Sequence, residues 1–355
     1  MRLRNFATIL LIILTLILIS SCDIKGDAIG SYNKIPVLVD SEQAGEAIPV
    51  LSKVLEREIR TPQKEKLFRL EIIDSSRIET ITNARTSIII GSIDSPGPTG
   101  NFIRSVLSSD AIKMIKSGEY WLIVREDLWA DGQLVIFITG RTMDQMLAHL
   151  ELNNDKLFDL VNSSTNQRIC EWLYGAGVVE DEKIELEDSI ALEYGFGIRV
   201  PRFFDWEKGT GDERFLWLRR LEPERWIFVW WTPLDSASDF SVSRWIDVRD
   251  SLCAVYYEGD SVSPHFIPET TVTYIGDRPA VQIRALWENP DTKLGGPIIS
   301  YVFSDLDTRR LYIVDGAVFA PGVEKEPYLR HVEIICRSFR SNLPKFYDER
   351  EEREN

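Results

Sequence analysis

The chain has 355 residues, more than one typical domain, and its 44% hydrophobic and 10% aromatic content is enough for a packed core. Its 56 acidic side chains outnumber 41 basic ones, which gives a formal charge of -15 at pH 7. A body this acidic repels phosphate backbones, so the composition argues against nucleic acid as a partner.

The N-terminus combines a short cationic segment with an apolar run. Arg2 and Arg4 precede residues 6–19, which are almost entirely apolar. This run is shorter than the roughly 20 residues that a membrane-spanning helix needs. It ends in small residues before Cys22, the pattern that lipoprotein signal peptidase accepts. We predict cleavage between Ser21 and Cys22 and attachment of acyl chains, such as palmitate, at Cys22. The alternative is an uncleaved anchor or an ordinary signal peptide with an accidental cysteine.

Residues 22–34 follow the predicted cleavage site and lack hydrophobic periodicity. Glycines at positions 26 and 30 favour a flexible, lipidated tether that holds the body outside the cytoplasm, in the cell envelope. Asp23 resembles an inner-membrane retention signal of enteric bacteria, and the choice between inner and outer membrane stays open. The other apolar runs are strand-length, so no second membrane-spanning segment is predicted.

Three further cysteines follow, Cys170, Cys253 and Cys336, an odd number for an oxidising compartment. Cys253 and Cys336 lie on predicted helices. A disulfide between them is one alternative, and two buried free thiols are the favoured one.

Residues 35–175 alternate between strand and helix patterns, which predicts a layered α/β domain. A turn containing Asp131 and Gly132, a dipeptide typical of tight hairpins, is expected to join the last two strands. The expected strands cover 35–40, 68–74, 87–93, 120–124 and 133–139, and the expected helices cover 41–58, 78–84, 101–116 and 142–174.

Residues 176–194 are acidic and predict a linker. Residues 195–342 predict an α+β domain with a mainly antiparallel sheet sandwich and two helices. Residues 343–355 predict a charged tail. In architecture alone, the order of elements resembles the sandwich domain of the photosystem oxygen-evolving-complex protein and the Ran-binding Mog proteins. The expected strands cover 197–200, 215–221, 226–231, 270–275, 279–287, 298–304 and 311–320, and the helices cover 243–257 and a segment that begins at Pro327.

The segment RWIFVWW contains three tryptophans. Trp226 and Trp230 share one face of the predicted strand, and Trp231 lies on the other face with Ile227 and Val229. Because both faces are apolar, we favour a strand buried between layers over a platform that stacks sugars or peptides.

Six segments occur together in an order that is typical of one family: PQKEKLF at 62–68, DLWADGQLVIFIT from 127, FLWLRR from 215, GDRPAVQIRALWE from 276, GGP at 295 and GAVFAPGVEKEPYLRHVE from 316. Over roughly residues 35–340, the chain resembles lipoproteins of unknown function from Bacteroidota and related bacteria, which contain domain of unknown function 4837. The resemblance implies a membrane lipoprotein and assigns no activity or catalytic residue.

No motif predicts catalysis, a cofactor or a metal site. His149, His265 and His331 are far apart in sequence, and helix-surface or flanking positions are favoured over metal binding. Neither GxSxG nor a papain-type cysteine context occurs. Asp305 and Asp307 resemble the start of a calcium loop but lack its glycine and distal glutamate, so a hairpin turn is favoured.

Residues 91–100, GSIDSPGPTG, connect a predicted strand to a predicted helix, where α/β sheets often bind phosphate. The segment lacks the lysine of a P-loop and the spacing of a dinucleotide motif. We therefore favour a plain connection.

The GGP segment at 295–297 and the APG segment at 320–322 predict tight turns. If the fold brings these turns together, they could rim a ligand groove near Arg284, Trp287 and Glu288.

The leading hypothesis is a non-enzymatic lipoprotein whose body binds an envelope protein or assists assembly, held to the membrane by lipid on Cys22. One alternative is an envelope hydrolase without a recognisable motif. Another is a glycan-binding lipoprotein that uses exposed tryptophans. No oligomeric state is predicted.

Overall fold

The computed structural model describes residues 25–175, 182–210, 214–234 and 241–354. The predicted signal peptide, the cleavage site at Ser21 and the lipid attachment site at Cys22 lie outside the described residues. Within the described ranges, no helix has the length and apolar character needed to cross a membrane.

The described segments contain ten helices and fifteen strands. The helices are α1 Ser41–Leu55, α2 Ile78–Asn83, α3 Pro98–Val106, α4 Ser109–Ser117, α5 Met143–Leu152, α6 Asn154–Tyr174, α7 Ile184–Tyr194, α8 Val242–Tyr256, α9 Glu326–Arg337 and α10 Leu343–Glu354. The strands are β1 Lys34–Leu38, β2 Glu58–Arg60, β3 Lys64–Lys66, β4 Arg69–Ile73, β5 Thr86–Ser92, β6 Leu122–Glu126, β7 Leu134–Gly140, β8 Asp205–Thr210, β9 Phe215–Arg220, β10 Glu224–Pro233, β11 Ser261–Val262, β12 Glu269–Ile275, β13 Arg278–Glu288, β14 Gly295–Asp305 and β15 Arg310–Phe319.

The chain forms two compact units. The first contains the segment up to Val50 and residues Leu70–Leu152, and the second contains Leu51–Arg69 and the chain from Asn153 onward. The β2–β3 hairpin and helix α6 therefore belong to the same unit as the C-terminal sheet. The predicted fold class, α/β followed by α+β, is confirmed.

The first unit is built on a five-stranded sheet in the order β4-β1-β5-β7-β6. Strands β1, β5 and β7 are parallel, with Ile88 opposite both Val37 and Ile136, and β6 runs antiparallel to β7. Every residue of β5 and β7 is buried. Central strands that are covered on both faces are rich in apolar residues, as the runs Ile88–Ile90 and Leu134–Ile138 show.

The second unit is built on one eight-stranded sheet in the order β11-β13-β14-β15-β10-β9-β8, with β12 also paired to β13. Helix α8 covers one face, where Trp245 and Cys253 pack among residues of β9, β10, β13 and β15. Helix α9 covers the other face, where Gly316 of β15 faces Val332 and Cys336. Cys253 and Cys336 are buried free thiols on opposite faces of the sheet.

The expected burial of the RWIFVWW strand is confirmed. Trp226 and Trp231 are buried on opposite faces, and Trp230 is half-buried. Trp231 packs with Phe196 at a ring distance of 5.2 Å on the face of α9. The strand thus lies between helical layers.

Two expected helices are each divided into two in the structure. The helix expected over 142–174 is interrupted at Asn153, whose φ of -121° is not helical. The helix expected over 101–116 is interrupted at Leu107, and Ser108 then caps α4 by accepting a hydrogen bond from the Ala111 amide. Asparagine and serine favour such cap positions because their side chains compete for backbone groups.

Several predictions of loops and strands were wrong. The strand expected over 197–200 is only a single bridge between Gly197 and Arg340. The GGP segment is not a turn but the start of β14. Ala28, expected in a flexible tether, is buried and its amide donates to Asp131. By contrast, the expected connection that contains Asp131 and Gly132 does join β6 to β7, and it spans residues 127–133.

Helices α7 and α10 lie where the sequence predicted an acidic linker and a charged tail. Helix α7 buries Ile190 and Tyr194, and α10 buries Phe346. Arg350 of α10 binds Glu187 of α7 at 3.1 Å. The high charge of both segments conceals these few apolar anchors.

Candidate binding pocket

A pocket of about 190 Å³ opens at one end of the C-terminal sheet. It lies where the β9–β10 hairpin, the β13–β14 turn, the end of β15 and the end of α8 meet. Its walls are aromatic and its rim is polar. We call it the aromatic pocket, and its lining comprises Trp217, Arg219, Glu224, Trp226, Tyr256, Tyr257, Glu258, Asp260, Trp287, Asn289, Thr292, Leu294 and Phe319.

Strand alternation brings the three tryptophans of the pocket to one face. Trp226 lies opposite Arg219 in the β9–β10 pair, and Trp287 lies opposite Gly296 in the β13–β14 pair. A side chain at Gly296 would place its Cβ 1.9 Å from the Val318 carbonyl oxygen and 2.8 Å from the Trp287 indole nitrogen. Glycine is therefore required for close approach of the backbone behind the Trp287 ring.

The rings form a continuous wall. The Tyr257 ring lies 4.6 Å from Trp217 in an edge-to-face arrangement and 5.6 Å from Trp226 in a stacked one. Trp226 lies 5.4 Å from Trp287, which lies 6.0 Å from Phe319. Such geometry holds each ring in place, so the wall is preformed.

Three donors of this wall have no hydrogen-bond partner among the described residues: the indole N–H groups of Trp217 and Trp226 and the hydroxyl of Tyr257. The Nε atom of Arg219 is also buried without a partner there. Burial raises the pKa of Tyr257 well above its usual range, so the phenol keeps its proton. These four atoms are buried beneath the ring surfaces, so they lie behind the wall of the pocket and do not face its open space.

The rim has an excess of carboxylates. Glu224 pairs with Arg219 at 2.7 Å, and Asp260 accepts a hydrogen bond from the Asn289 amide at 2.9 Å. Glu258 is exposed. Burial raises the pKa of Asp260, and the nearby charges of Glu258 and Glu224 add to that effect. Three carboxylates against one guanidinium disfavour an anionic occupant.

A buried ion pair lies on the same face of the sheet. Arg249 of α8 approaches Asp315 of β15 at 3.3 Å, and Asp315 also accepts from Ser300, which in turn accepts from the Trp245 indole at 3.0 Å. Burial acts to lower the pKa of Arg249, but the charge of the Asp315 carboxylate outweighs burial, so the pKa of Arg249 is raised. This network fixes α8 against the sheet beside Tyr257.

The structure separates the three residues of the expected groove. Trp287 lies in the wall of the aromatic pocket. Arg284 faces α9, where it pairs with Glu333 at 2.8 Å and lines a different cavity. Glu288 accepts a hydrogen bond from Ser263 at 2.6 Å. Side chains alternate along β13, so residues 284 and 288 share a face that residue 287 does not.

Residues 91–100 connect β5 to α3, as expected, and border a cleft of about 450 Å³ at the carboxyl ends of β1, β4 and β5. Asp40 occupies the N-terminus of α3 by accepting from the amide and hydroxyl of Thr99, at 2.9 and 2.7 Å. This carboxylate takes the place where a phosphate would bind and repels it. The connection is therefore unsuited to phosphate.

The three histidines occupy unrelated environments. His149 stacks on Trp121 at 5.5 Å, and His265 is exposed. His331, expected at the surface or flank of its helix, is instead buried, and its Nδ1 atom accepts a hydrogen bond from Arg225 at 2.8 Å. Among the described residues, no group of histidine, cysteine and carboxylate side chains could hold a metal ion.

Asp305 and Asp307 form the hairpin turn between β14 and β15, as the sequence indicates. The Asp307 amide donates to Asp305, and Arg278 reaches both carboxylates. An arginine holds the position that a cation would need.

Sequence reasoning missed Trp217, Tyr257 and the rim carboxylates. Trp217 and Tyr257 are 40 positions apart in the chain, and only the sheet order places them together. The one usable signal was the apolar spacing of α8, which leads into Tyr256 at its end and Tyr257 directly after it.

The aromatic pocket lies entirely within residues 183–338, which match the family model described as Domain of unknown function (DUF4837). We refer to the part of the chain that contains this match as the DUF4837 domain. Residues 28–173 match a second model, Domain of unknown function (DUF8532). The resemblance expected over 35–340 therefore holds for the DUF4837 domain, and the segments quoted at 62–68 and from 127 lie in the DUF8532 match.

Similar solved structures include a protein of Bacteroides thetaiotaomicron, at 8% identity and a TM-score of 0.26 over 41% of this chain and 44% of that one. The Ran-binding protein Mog1p of Saccharomyces cerevisiae matches at 9% identity and a TM-score of 0.29, over 42% of this chain and 92% of Mog1p. A Mog1 mutant, E65A, matches at 11% identity and a TM-score of 0.28, over 43% of this chain and 95% of the mutant. This chain thus spans less than half of the Bacteroides protein. TM-scores this low support no conclusion about function. No curated protein matches the sequence.

Proposed function

We propose that the chain is a lipid-anchored envelope protein of Bacteroidota or related bacteria, and that its DUF4837 domain is a non-enzymatic binding module. The module takes a small ring-bearing group into the aromatic pocket. The signal at residues 2–22 supports the anchor. The pocket supports the binding role.

The aromatic pocket itself is the observation that carries this proposal. It is a hollow of about 190 Å³ at one end of the sheet, with rings in its wall and charged groups on its rim. The rings hold one another in place, so the pocket is open without an occupant. Small molecules bind to proteins in preformed concave sites of this kind, which combine apolar walls with a few polar groups.

The experiment fills the pocket mouth without touching its wall. Leu294 lies at the rim and is 43% exposed, so Leu294→Trp blocks entry while leaving the core intact. Leu306, in the β14–β15 turn and 77% exposed, provides the matched control Leu306→Trp. Both variants are mixed with small molecules and released glycans from the envelope, and binding is read by ligand-detected NMR.

Binding to the wild type and to Leu306→Trp, but not to Leu294→Trp, is the expected result. Equal binding to all three proteins would place the ligand elsewhere. Absence of any bound component from the extract would contradict the binding role.

The anchor is tested with Cys22→Ala. The variant should lose acyl labelling and accumulate as the uncleaved precursor, because the thiol accepts the lipid before cleavage. Normal processing of the variant would refute the lipoprotein proposal.

We expect an envelope protein as the macromolecular partner. In-cell crosslinking should capture this partner with the wild-type protein and fail to capture it with Cys22→Ala.

A second candidate function is hydrolysis of an envelope substrate. Asp260 favours it, because burial and nearby carboxylates raise the pKa of this pocket residue, as a general acid requires. Asp260→Asn keeps a hydrogen-bonding group beside Asn289. Turnover of envelope glycans by wild type that this variant abolishes would establish the enzyme, and absence of turnover would exclude it.

A further inference from the structure

Two arginines lie directly opposite each other in the β9–β10 hairpin, Arg220 and Arg225. We call them the arginine pair. Arg219 and Trp226, one position further from the turn, line the aromatic pocket. Because side chains alternate along a strand, the arginine pair lies on the other face of the sheet, toward α9. Like charges at opposed positions of an antiparallel pair destabilise it.

Arg225 is fully buried without a counter-charge. Its Nε atom donates to the Pro223 carbonyl at 3.2 Å, and its Nη1 atom donates to His331 at 2.8 Å. Both acceptors are neutral, because burial and the charge of Arg225 lower the pKa of His331 to about 3. Burial and the charge of Arg220 lower the pKa of Arg225 to about 9, so its guanidinium stays charged at pH 7. A buried charge is costly unless an opposite charge pairs with it.

Arg220 is the half-buried member of the pair and provides its accessible guanidinium. The guanidinium carbon lies 4.7 Å from the centre of the Phe203 ring. Among the residues that the structure describes, neither arginine of the pair forms an ion pair. The neighbouring Arg219, on the other face, does pair with Glu224 at 2.7 Å. The hairpin thus supplies a carboxylate to one face and none to the arginine pair.

Exposed aromatic rings border the arginine pair. Phe203 is 54% exposed, and Trp172 of α6 is 47% exposed. The Trp172 ring lies 5.1 Å from the ring of His331, which is the histidine that accepts from Arg225. The Tyr328 ring of α9 lies 5.1 Å from the Arg225 guanidinium. Tryptophan, tyrosine and arginine carry most of the binding energy at protein interfaces, so this surface has the composition of a docking site.

We propose that the arginine pair docks a carboxylate that an apolar peptide segment of an envelope protein presents. Arg220 offers a planar fork of donors that matches a carboxylate, and the charge of Arg225 lies behind it. The exposed rings of Trp172 and Phe203 receive the apolar neighbours of that carboxylate. The chain as a whole carries a formal charge of -15, so it repels an acidic partner elsewhere and favours this one orientation. The inference rests on the expected envelope protein partner and adds where and how it docks.

A phosphate group is the main competing occupant. It also binds guanidinium groups through paired hydrogen bonds. A free phosphate, however, brings no apolar surface to cover the exposed rings of Trp172 and Phe203, and its higher charge is repelled more strongly by the acidic body. Inorganic phosphate and anionic lipid therefore serve as comparisons in the test.

The test uses the full-length chain in mild detergent and a phage-displayed library of random dodecapeptides. Peptides selected on the wild type should contain aspartate or glutamate next to aromatic or aliphatic residues. Each selected peptide is synthesised with a fluorescent label, and again with its acidic residues replaced by the corresponding amides. Affinity is measured by fluorescence anisotropy. The amide versions should bind about tenfold more weakly or worse, because they lose the charge-assisted hydrogen bonds.

Arg220→Gln should weaken binding of the acidic peptides about tenfold, because it removes the accessible guanidinium. Arg309→Gln is the matched control, because Arg309 is an exposed arginine in the β14–β15 turn, at the opposite end of the sheet. It should leave the affinity unchanged. Equal affinity for Arg220→Gln and wild type would overturn the inference. Stronger binding of inorganic phosphate, or of phosphatidylcholine vesicles containing phosphatidylglycerol, than of the peptides would overturn it too.

The unfolding temperature of the unliganded variants distinguishes docking from a structural role of Arg220. Arg220→Gln removes a like charge opposite Arg225, so its unfolding midpoint should equal or exceed that of Arg309→Gln. A lower midpoint would show that Arg220 serves the fold, which contradicts the inference.

This inference and the proposed function fail in different ways. Peptides that Leu294→Trp blocks lie in the aromatic pocket, and the arginine pair is then not their site. If in-cell crosslinking captures the same envelope protein with Arg220→Gln as with wild type, the partner stands and this docking site is wrong. If crosslinking captures no envelope protein and no acidic peptide is selected, both are wrong.

Discussion

Two buried tyrosines of the DUF4837 domain differ in one respect. The Tyr257 hydroxyl has no hydrogen-bond partner among the described residues. The Tyr301 hydroxyl accepts from Gln282 at 2.8 Å and lies 3.2 Å from Glu333. The same substitution at both positions therefore compares a hydroxyl that is paired within the fold with one that is not.

In the absence of ligand, Tyr257→Phe should leave the free energy of unfolding unchanged or raise it by about 1 kcal/mol, because it removes an unpaired buried donor. Tyr301→Phe should lower it by about 1–2 kcal/mol, because Gln282 and Glu333 lose a partner. Chemical denaturation of both variants measures the difference. An equal loss in both would indicate that Tyr257 is paired in the free protein.

His331 introduces a dependence on pH. Burial and the charge of Arg225 lower its pKa from 6.5 to about 3. The folded chain therefore keeps this histidine neutral where the unfolded chain protonates it. Between these two values the unfolded state binds one more proton, so the free energy of unfolding falls as the pH falls.

We expect this loss to reach about 1.4 kcal/mol per pH unit below about pH 6. His331→Asn retains an acceptor near the position of Nδ1 but does not titrate, so its stability should fall less steeply over the same range. Thermal unfolding of both proteins from pH 7 to pH 4 gives the two slopes. Parallel slopes would show that His331 is not responsible.

At the scale of elements, the contact between β15 and α9 depends on a missing side chain. A Cβ at Gly316 would lie 2.0 Å from Cγ1 of Val332, a buried β-branched residue, and 3.2 Å from the Cys336 sulfur. Neither neighbour can yield without moving the helix. The glycine therefore sets how closely α9 approaches the sheet.

Gly316→Ala should lower the free energy of unfolding by about 1–3 kcal/mol through overpacking. Gly45→Ala is the control, because Gly45 lies in helix α1 with no atom within 4 Å of an added Cβ. Alanine there should stabilise the chain by up to about 1 kcal/mol. Denaturation of the two variants tests the pair, and a neutral Gly316→Ala would mean that α9 can shift.

The sequence predicted the elements whose apolar pattern is strong. Strands β5 and β7 contain apolar runs at Ile88–Ile90 and Leu134–Ile138, and β10 is apolar on both faces, so burial on both sides determines these strands. Helices α7 and α10 were missed because charged residues outnumber their apolar anchors. The GGP segment was taken for a turn because close backbone approach and tight turns both select glycine.

The pocket could be predicted only in part. Trp287 lies in its wall, but Arg284 and Glu288 lie on the other face, as strand alternation implies. Trp217, Trp226 and Tyr257 come together through the order β14-β15-β10-β9 and the path of α8 across the sheet. Long-range strand order is not written in local periodicity, so this constellation needed the structure.

At the scale of the whole molecule, the boundaries of the two family matches differ from those of the two compact units. Glu65, in the segment that matches DUF8532, accepts hydrogen bonds from the Lys325 and Glu326 amides at the start of α9, both at 2.8 Å. Arg330 of α9 donates to Asn162 and Asn166 of α6, each at 2.6 Å. The DUF4837 domain is thus completed by residues outside its own match.

Glu65→Ala should lower the free energy of unfolding of the C-terminal unit by about 1–2 kcal/mol, because it removes the cap of α9. Glu58→Ala is the control in the same hairpin, because Glu58 forms an exposed ion pair with Lys64. It should change stability by less than about 0.5 kcal/mol. Similar small effects in both variants would mean that the hairpin does not support α9.

Indole NMR of the 15N-tryptophan-labelled chain tests the binding pocket most directly. Trp217 and Trp226 have indole N–H groups without a partner among the described residues, whereas the Trp245 indole already donates to Ser300 at 3.0 Å. On addition of the envelope extract, the Trp217 and Trp226 signals should shift because both rings line the pocket, and the Trp245 signal should stay in place because Trp245 does not. Unmoved Trp217 and Trp226 signals, or equal shifts of all three, would contradict a ligand site in the aromatic pocket.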